Sequence, residues 1–410
     1  MLNGITQLGG DKSISHRVLM FAAMSKDKCV IKNLSKCTDV KRTITILKNC
    51  GTNIANYQNE ITILGSHSMH STKKRFYCGN SGTTARFMLG FLPTHGITGT
   101  LCGDRSLSGR PMKRIIEPLK KMNIKLLTKT DTLPIKFNAS NTQSINHTLA
   151  VPSAQVKSSL IFAALSCSAH TVIEDKFNTR DHTERLIKYL GYKKEYYTKF
   201  TINAFNYTVP GDISSASYLI AATLLIPNSN VTIKNILFNK TRIGYIRTLQ
   251  KMGGKISIMN KRSLQNEPVC DLNIKYTKKL NAVTVTSDQI TSMIDEIPIF
   301  ALICAYSHGV SKIKGVTELR YKESDRIKSI VHNFKNLNIN IQEHQDGFTI
   351  QGPNTLYITS INSFNDHRIA LLGEIIKIIN NRSLSDNFET KSLIETSFPE
   401  FYKIIGDLHE

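Results

Sequence analysis

The chain is poor in carboxylates, with 31 Asp and Glu against 53 Lys and Arg in 410 residues, a formal charge of +22. That charge is nowhere concentrated. No tract of five consecutive basic residues occurs and no aromatic-rich RNA-binding signature stands out. The excess therefore reads as solvated lysines on many faces, not as a nucleic-acid stripe, although it favours capture of anionic substrates. CxxC spacing is absent too, and the eight cysteines are scattered without a Cys/His zinc pattern. Free thiols in a reducing compartment are expected, with no metal bound through cysteine. The opening MLNGITQLGGDKS has neither a basic n-region nor an apolar h-region. Runs such as Tyr218–Pro227 are too short to cross a bilayer, and a cytoplasmic protein is expected. GxGxxG, HExxH and GxSxG are all missing. Gly4 and Gly9 have P-loop spacing, but Gly10 and Asp11 intervene before Lys12, which rules out that phosphate cradle and nucleotide hydrolysis with it.

What is present is a repeat. Five times an amphipathic helix ends in a similar phrase: LKNCGTNI (47–54), LKKMNIKL (119–126), IKYLGYKK (187–194), LQKMGGKI (249–256) and FKNLNINI (334–341). Gly or Asn at each break suits a helix end that needs positive φ. Short strands are expected to follow at EITILG, LPIKFN, KFTIN, DLNIKY and GFTIQG. The copies recur roughly every 60 to 85 residues, which implies about six α/β units, naturally divided as two lobes of three. A sixth helix near Phe398–Leu408 lacks a following strand pair, and the opening strand Leu2–Thr6 is a candidate to complete it. Small polar clusters also precede apolar helices at DKSISHR, GNSGTTAR, PSAQVKS, GDISSAS and NDHRIA. One such cluster is an ordinary N-cap; five, four of them with Lys or Arg, suggest anion sites built from helix starts.

The densest chemistry lies in Tyr321–Arg326, where two cations, two carboxylates and a hydroxyl share six residues. Lys12, Arg17, Arg86, Arg110, Arg180 and Arg368 stand in comparable polar segments. This inventory suits an enzyme that holds two phosphorylated, carboxylated substrates. Ten ordered motifs sharpen the reading: GDKSISHR (10–17), GNSGTTAR (79–86), GDRSLSGRPM (103–112), PSAQVKS (152–158), TRDHTERL (179–186), GDISSASY (211–218), DEIP (295–298), ELRYKESDRI (318–327), NDHRIA (365–370) and SFPEF (397–401). Through them the chain resembles the 5-enolpyruvylshikimate-3-phosphate synthase family nearly end to end, and its SAQxK and RDHTE forms resemble the bacterial class II branch.

The resemblance implies an α/β fold of two similar lobes, each of three βαβαββ units, the inside-out α/β barrel of enolpyruvyl transferases. One lobe would span 10–210 with the Lys12, Arg110, Gln155 and Arg180 motifs. The other would combine 1–9 with 211–410 and carry Asp295, Glu323, Arg326 and Arg368, with the active site in the interlobe cleft. The implied reaction moves the enolpyruvyl group of phosphoenolpyruvate to the 5-hydroxyl of shikimate 3-phosphate through a tetrahedral ketal, without cofactor or metal. Lys12 would lie between the substrates. Ser13, Arg17, Ser153, Ala154, Gln155, Arg180, Asp295 and Lys322 would bind shikimate 3-phosphate. Asn80, Gly82, Arg110, Gln155, Arg326, His367 and Arg368 would bind phosphoenolpyruvate, a place where Gly82 would also admit glyphosate. Asp295 would act as base and Glu323 as methylene proton donor, a division that requires different surroundings for the two carboxyls.

Arg17 also has a plainer reading as a surface ion pair, and Arg110 as a turn residue before Pro111. Arg86 is expected to back the Asn80 loop, and Glu296 and Asp325 to form supporting ion pairs. His182 is read equally as structural or as ligand-touching. Gly9 replaces a usual proline, loosening the crossover by some tenths of a kcal/mol. Thr396 stands where some members have a lysine, so a contact from nearby Lys391 stays open. The alternative is the sister family that uses UDP-N-acetylglucosamine; GDKSISHR, RPM and KESDR argue against it, as does the absence of that family's reactive cysteine loop. A nucleic-acid-binding relative of RNA-cyclase-like architecture would need salt-sensitive RNA binding that survives loss of the arginines. A monomer is expected.

Overall fold

Each of the five repeated helix endings places a Gly or Asn in left-handed backbone. Gly51, Asn123, Gly191, Gly253 and Asn338 have φ of 89°, 64°, 97°, 94° and 58°, just beyond the helices Thr38–Asn49, Lys113–Lys121, His182–Tyr189, Gly244–Lys251 and Arg326–Asn336. Most side chains are disfavoured there, so these residues stop the helix and turn the chain toward its strand.

The computed structural model describes residues 1–57, 60–65, 69–356 and 360–409. Contacts divide them into two units. One, the Lys12 unit, contains Gly10–Val209 and Leu264–Glu267. The other, the Arg326 unit, contains Met1–Gly9, Pro210–Ser263 and Pro268–Glu410.

The Lys12 unit has two four-stranded sheets, ordered Asn206–Thr208, Lys28–Lys32, Glu60–Leu64, Asn53–Tyr57 and Arg75–Tyr77, Gly99–Cys102, Ile135–Phe137, Leu126–Leu127. In each, the first two strands run parallel and the rest antiparallel. Alternation sets the buried face: Cys29 and Ile31 are inside, while Lys28 and Lys32 face out. A third, smaller sheet pairs Asn146–Thr148 with Val172–Glu174 in parallel. The strand expected at KFTIN does not form. Lys199 and Phe200 instead donate their N–H groups to the Cys167 and Leu165 carbonyls beyond the helix Ala154–Ala164, and the strand begins only at Asn206.

The Arg326 unit repeats this plan with Asn3–Gln7, Asn230–Leu237, Glu267–Lys275, Ile256–Leu264 and with Thr284–Val285, Gly309–Ile313, Gly347–Gly352, Ile341–His344. Again the first two strands are parallel and the third is antiparallel to the second. The opening strand thus completes a sheet. Leu2 also bridges His409 beyond the last helix, Phe401–Leu408. Among the described residues no strand follows Gly352, and none of their helices is long and apolar enough to cross a membrane.

The core of each unit is a trio of helices that are buried almost all round: Lys12–Met24, Gly82–Phe91 and Ala154–Ala164 in one, Ile213–Leu225, Ile297–Tyr306 and His367–Ile379 in the other. Small residues make this packing possible. A Cβ on Gly90 would lie 2.3 Å from the Ser159 carbonyl oxygen, so the Gly82 and Ala154 helices touch backbone to backbone there. The starts of five of these helices carry the polar clusters read from the sequence.

Candidate active site

All five helix starts are capped by their own side chains. Asp11, Asp212 and Asp366 accept from Ile14 N, Ser215 N and Arg368 N at 2.9 Å, while Ser81 and Ser153 accept from Thr84 N and Val156 N at 3.2 and 3.4 Å. The distinction is electrostatic. A carboxylate cap already neutralises the positive end of its helix, whereas a hydroxyl cap leaves that potential available to an anion.

In the Lys12 unit, the Lys12 ammonium pairs with Asp39 at 2.9 Å. Arg17 is 2% exposed, which removes its reading as a surface ion pair. Its guanidinium donates to Thr183 Oγ1, the Ser13 carbonyl and Ser158 Oγ, each at 2.7 Å, and lies over the Phe87 ring. These partners, two hydroxyls and a carbonyl, fix the direction of the guanidinium. Arg180 Nη1 reaches Ser13 Oγ at 3.5 Å. His16, one turn along from Lys12, is fully buried with Nδ1 2.8 Å from Thr43 Oγ1. Burial, then Lys12 and Arg17, pull its pKa well below the usual histidine value. Thr43 Oγ1 in turn lies 2.9 Å from Thr84 Oγ1, whose hydroxyl is 2.8 Å from Ser81 Oγ. This buried chain ties the Lys12 helix to the Ser81 cap.

Beside that cap, Arg110 donates to Asn80 Oδ1 and, at 3.3 Å, to Ser106 Oγ. Arg86 donates to Gln155 Oε1 at 2.7 Å, and Gln155 Nε2 donates to Thr83 Oγ1 at 2.9 Å. A Cβ on Gly82 would fall 2.8 Å from Arg86 Nη1 and 3.3 Å from Arg110 Nη1. Glycine there lets two guanidinium groups converge on the start of the helix. Arg86 therefore stands in the cluster itself, not behind it. Ser153 caps the next helix and Ala154 is its first residue. Ser158, one of the Arg17 partners, donates back to the Ala154 carbonyl at 2.7 Å, so the two groups of residues share one framework. His182 Nδ1 donates to Glu267 Oε1 at 2.7 Å inside the protein.

In the Arg326 unit, Arg326 forms the centre. Its side chain is 1% exposed, with Nη2 2.5 Å from Glu323 Oε2, Nε 2.8 Å from Asp366 Oδ2 and Nη1 3.9 Å from Asp295 Oδ1. Burial by itself would lower its pKa; Asp366 and then Glu323 outweigh that and raise it. Arg368 lies 3.6 Å from the other Asp295 oxygen, and there too burial is outweighed, chiefly by Asp295. Lys322 behaves oppositely. Burial lowers its pKa, Asp295 opposes the shift and Arg326 adds to it, which makes it the cation of the group that gives up a proton most readily. Glu323, Asp366 and His367 bring donor atoms within 4.8 Å of one another, a spacing a metal ion would accept. The Arg326 guanidinium already supplies positive charge to both carboxylates. Glu323 also borders a cavity of about 610 Å³ whose walls include Asp325, Lys328, His332 and Asn365.

Three further residues read from the sequence have these partners. Asp325 caps the Arg326 helix and pairs with Arg320 at 2.9 Å. Glu296, 1% exposed, accepts from Ser214 Oγ at 2.5 Å, and Arg242 donates to the same hydroxyl at 3.0 Å. Lys391 pairs with Asp386 on the surface and lies over Tyr402. Asp39, Asp366 and Glu267 were not singled out from sequence. Asp366 had a visible signal, an Asp directly before His367 at a helix start, but that signal announces only the cap.

Residues 1–405 match the EPSP synthase (3-phosphoshikimate 1-carboxyvinyltransferase) family. The 3-phosphoshikimate 1-carboxyvinyltransferase of Endomicrobium trichonymphae is 35% identical over 421 residues, covering 99% of this chain and 97% of its own. That of Alkaliphilus oremlandii (strain OhILAs) is 36% identical over 419 residues, covering 98% and 96%. The structure of EPSP synthase from Acinetobacter baumannii is similar with a TM-score of 0.85 at 30% identity, covering 99% of this chain and 96% of that one. The enolpyruvyl transferase NikO from Streptomyces tendae, 12% identical, shares the fold with a TM-score of 0.76 over 99% of this chain and 95% of its own.

Proposed function

The chain belongs to the EPSP synthase family, and from that premise we propose how its residues divide the work. The enzyme transfers the enolpyruvyl group of phosphoenolpyruvate to shikimate 3-phosphate in the shikimate pathway. The observation that carries the assignment of roles is the shared buried guanidinium of Arg326, which faces Glu323, Asp366 and Asp295 together.

Asp295, between Arg326 and Arg368, removes the proton of the 5-hydroxyl, and the oxygen attacks C2 of phosphoenolpyruvate. Glu323 delivers a proton to the methylene carbon C3, giving a tetrahedral phospho-ketal. In the second half C3 returns a proton to Glu323, the bond from C2 to the phosphate oxygen breaks, and the enol ether and inorganic phosphate leave, the phosphate taking the proton held by Asp295. A carboxylate bonded to a guanidinium accepts and does not donate. Proton delivery by Glu323 therefore needs its pair with Arg326 to loosen, and an anionic substrate competing for the same guanidinium does this.

Lys12, Arg326, His367 and Arg368 stabilise the charge that collects on the phosphate. Arg110, Asn80, Gly82 and Gln155 hold phosphoenolpyruvate at the hydroxyl-capped Gly82 helix start. Ser153 and Ala154 present the second such start to the phosphate of shikimate 3-phosphate, with Ser13, Arg17, Arg180 and Lys322 around that substrate. No step calls for a second chain, so a monomer suffices, and light scattering decides that point. The eight cysteines, none in a disulfide, fit a reducing cytoplasm.

The test is phosphate release on mixing the protein with both substrates, alongside Glu323→Gln. Release should require both substrates and fall by about a hundredfold or more in the variant. Release with UDP-N-acetylglucosamine as the acceptor, or an unimpaired variant, would refute this assignment.

A further inference from the structure

The hairpin of the strands Ile256–Leu264 and Glu267–Lys275 has a tip, Leu264–Glu267, that packs with the Lys12 unit although the strands behind it belong to the other. The tip is a two-residue turn in which Gln265 and Asn266 are both left-handed, with φ of 50° and 68°, a tight geometry that fixes its direction. Each of its three polar side chains is engaged. Gln265 accepts from Thr208 N at 2.8 Å and donates to the Asn206 carbonyl at 3.1 Å, serving the strand Asn206–Thr208 as a backbone would. Arg185 Nη1 donates to the Asn266 carbonyl at 2.9 Å, and Asn266 returns a bond to the Arg185 carbonyl at 3.4 Å. Glu267 accepts from His182 Nδ1 at 2.7 Å, with side-chain exposures of 1% and 0%. Its second oxygen lies 3.9 Å from Arg185 Nε.

What this tip grips is the start of the helix His182–Tyr189. That start lacks the usual restraint: Asp181 makes no side-chain cap and instead accepts from Arg185 Nε at 2.9 Å. Yet the first residues of this helix have work to do. Thr183, next to His182, receives the Arg17 Nε bond, and Arg180, two residues before it, reaches Ser13. The ring of His182 is sealed away from solvent and committed to Glu267, so it does not touch a ligand.

We propose that Glu267 and His182 are positioning residues for shikimate 3-phosphate: the hairpin tip clamps the His182 helix start and so sets the placement of Arg180 and, through Thr183, of Arg17. This rests on the assignment of those two arginines to that substrate. Misplacement should weaken the interaction with shikimate 3-phosphate far more than that with phosphoenolpyruvate, whose residues Asn80, Gly82 and Arg110 lie on other segments.

Steady-state kinetics of the full chain test it. Glu267→Ala should raise KM for shikimate 3-phosphate about tenfold, the scale of a small misalignment, while KM for phosphoenolpyruvate stays within about twofold. Glu267→Gln keeps an acceptor for His182 and should recover most of the loss. Should Glu267→Ala fail to fold, Arg185→Met removes the outer, partly exposed half of the clamp and should shift the same KM in the same direction. A fall in kcat alone, equal shifts in both KM values, or an unchanged KM in Arg185→Met with Glu267→Ala unfolded would overturn the proposal. Arg17→Met and Arg180→Met are the controls. If neither raises KM for shikimate 3-phosphate, the assignment of the arginines fails. If they raise it and the clamp variants do not, the clamp alone fails.

Discussion

Replacing Asp366 separates two jobs that one side chain performs. Its carboxylate is fully buried, caps its helix through Arg368 N and bonds Arg326 through both oxygens, at 2.8 and 3.2 Å. Breaking a buried ion pair by removing one partner costs about 3–5 kcal/mol. The lower end applies here, because Glu323 still faces Arg326 at 2.5 Å. Loss of the cap adds about 1 kcal/mol in Asp366→Ala and close to nothing in Asp366→Asn, since Asn caps as well as Asp. The expected costs are therefore about 4 kcal/mol for Ala and about 3 kcal/mol for Asn. In a unit of roughly 200 residues each kcal/mol moves Tm by about 2–4 °C, so Ala should melt about 8–16 °C below the parent and Asn about 6–12 °C below it. Activity should fall further than stability suggests. Without Asp366 the guanidinium turns more fully to Glu323 and holds it as an acceptor, so kcat should drop about a hundredfold in both variants. Scanning calorimetry and phosphate release measured on the same samples decide this. An Asp366→Asn protein that melts within about 2 °C of the parent would refute the claim that buried charge holds this centre together.

Two further outcomes follow from the Lys12 unit. Gly82→Ala places a methyl group 2.8 Å from Arg86 Nη1, and a guanidinium at the end of a flexible stem can yield. Tm should move by less than about 3 °C while KM for phosphoenolpyruvate rises about tenfold, or ~1.4 kcal/mol, and an unchanged KM would sink the idea that the two arginines converge there on substrate. Burial, with Lys12 and Arg17, depresses the His16 pKa, and burial alone depresses that of His95. The unfolded chain then binds more protons than the folded one below the ordinary histidine pKa of about 6.5, so stability is full above that pH and declines as pH falls through it. His16→Asn, which keeps a partner for Thr43, should flatten the fall of Tm between about pH 6.5 and 5; a parallel curve would show that His16 does not contribute.

What could be read from sequence, and what could not, divides by the distance between partners. Left-handed Gly and Asn at the helix ends are local necessities, so Gly51 and Asn338 announce themselves. The alternation in KFTIN is equally local, but whether it becomes a strand depends on which carbonyls it meets. It met those of Leu165 and Cys167, which no window of five residues contains. The same holds for charge. The dense cluster Tyr321–Arg326 pointed to Arg326 and Glu323, and the small polar segment before an apolar run pointed to Arg17. The partner that governs Arg326 lies 40 residues away in Asp366, and the partner of His182 lies 85 residues away in Glu267. Each of those carboxylates carries an innocent local reading, as a helix cap and as the residue after a turn. Arg86 was undervalued for a different reason: it sits four residues after Gly82 on one helix, and a glycine near a ligand invites thought about room for the ligand. The structure adds that the room is taken by guanidinium groups. A side chain at 82 would therefore act first on the two arginines and only through them on the substrate, so Gly82→Ala should move KM before it moves kcat.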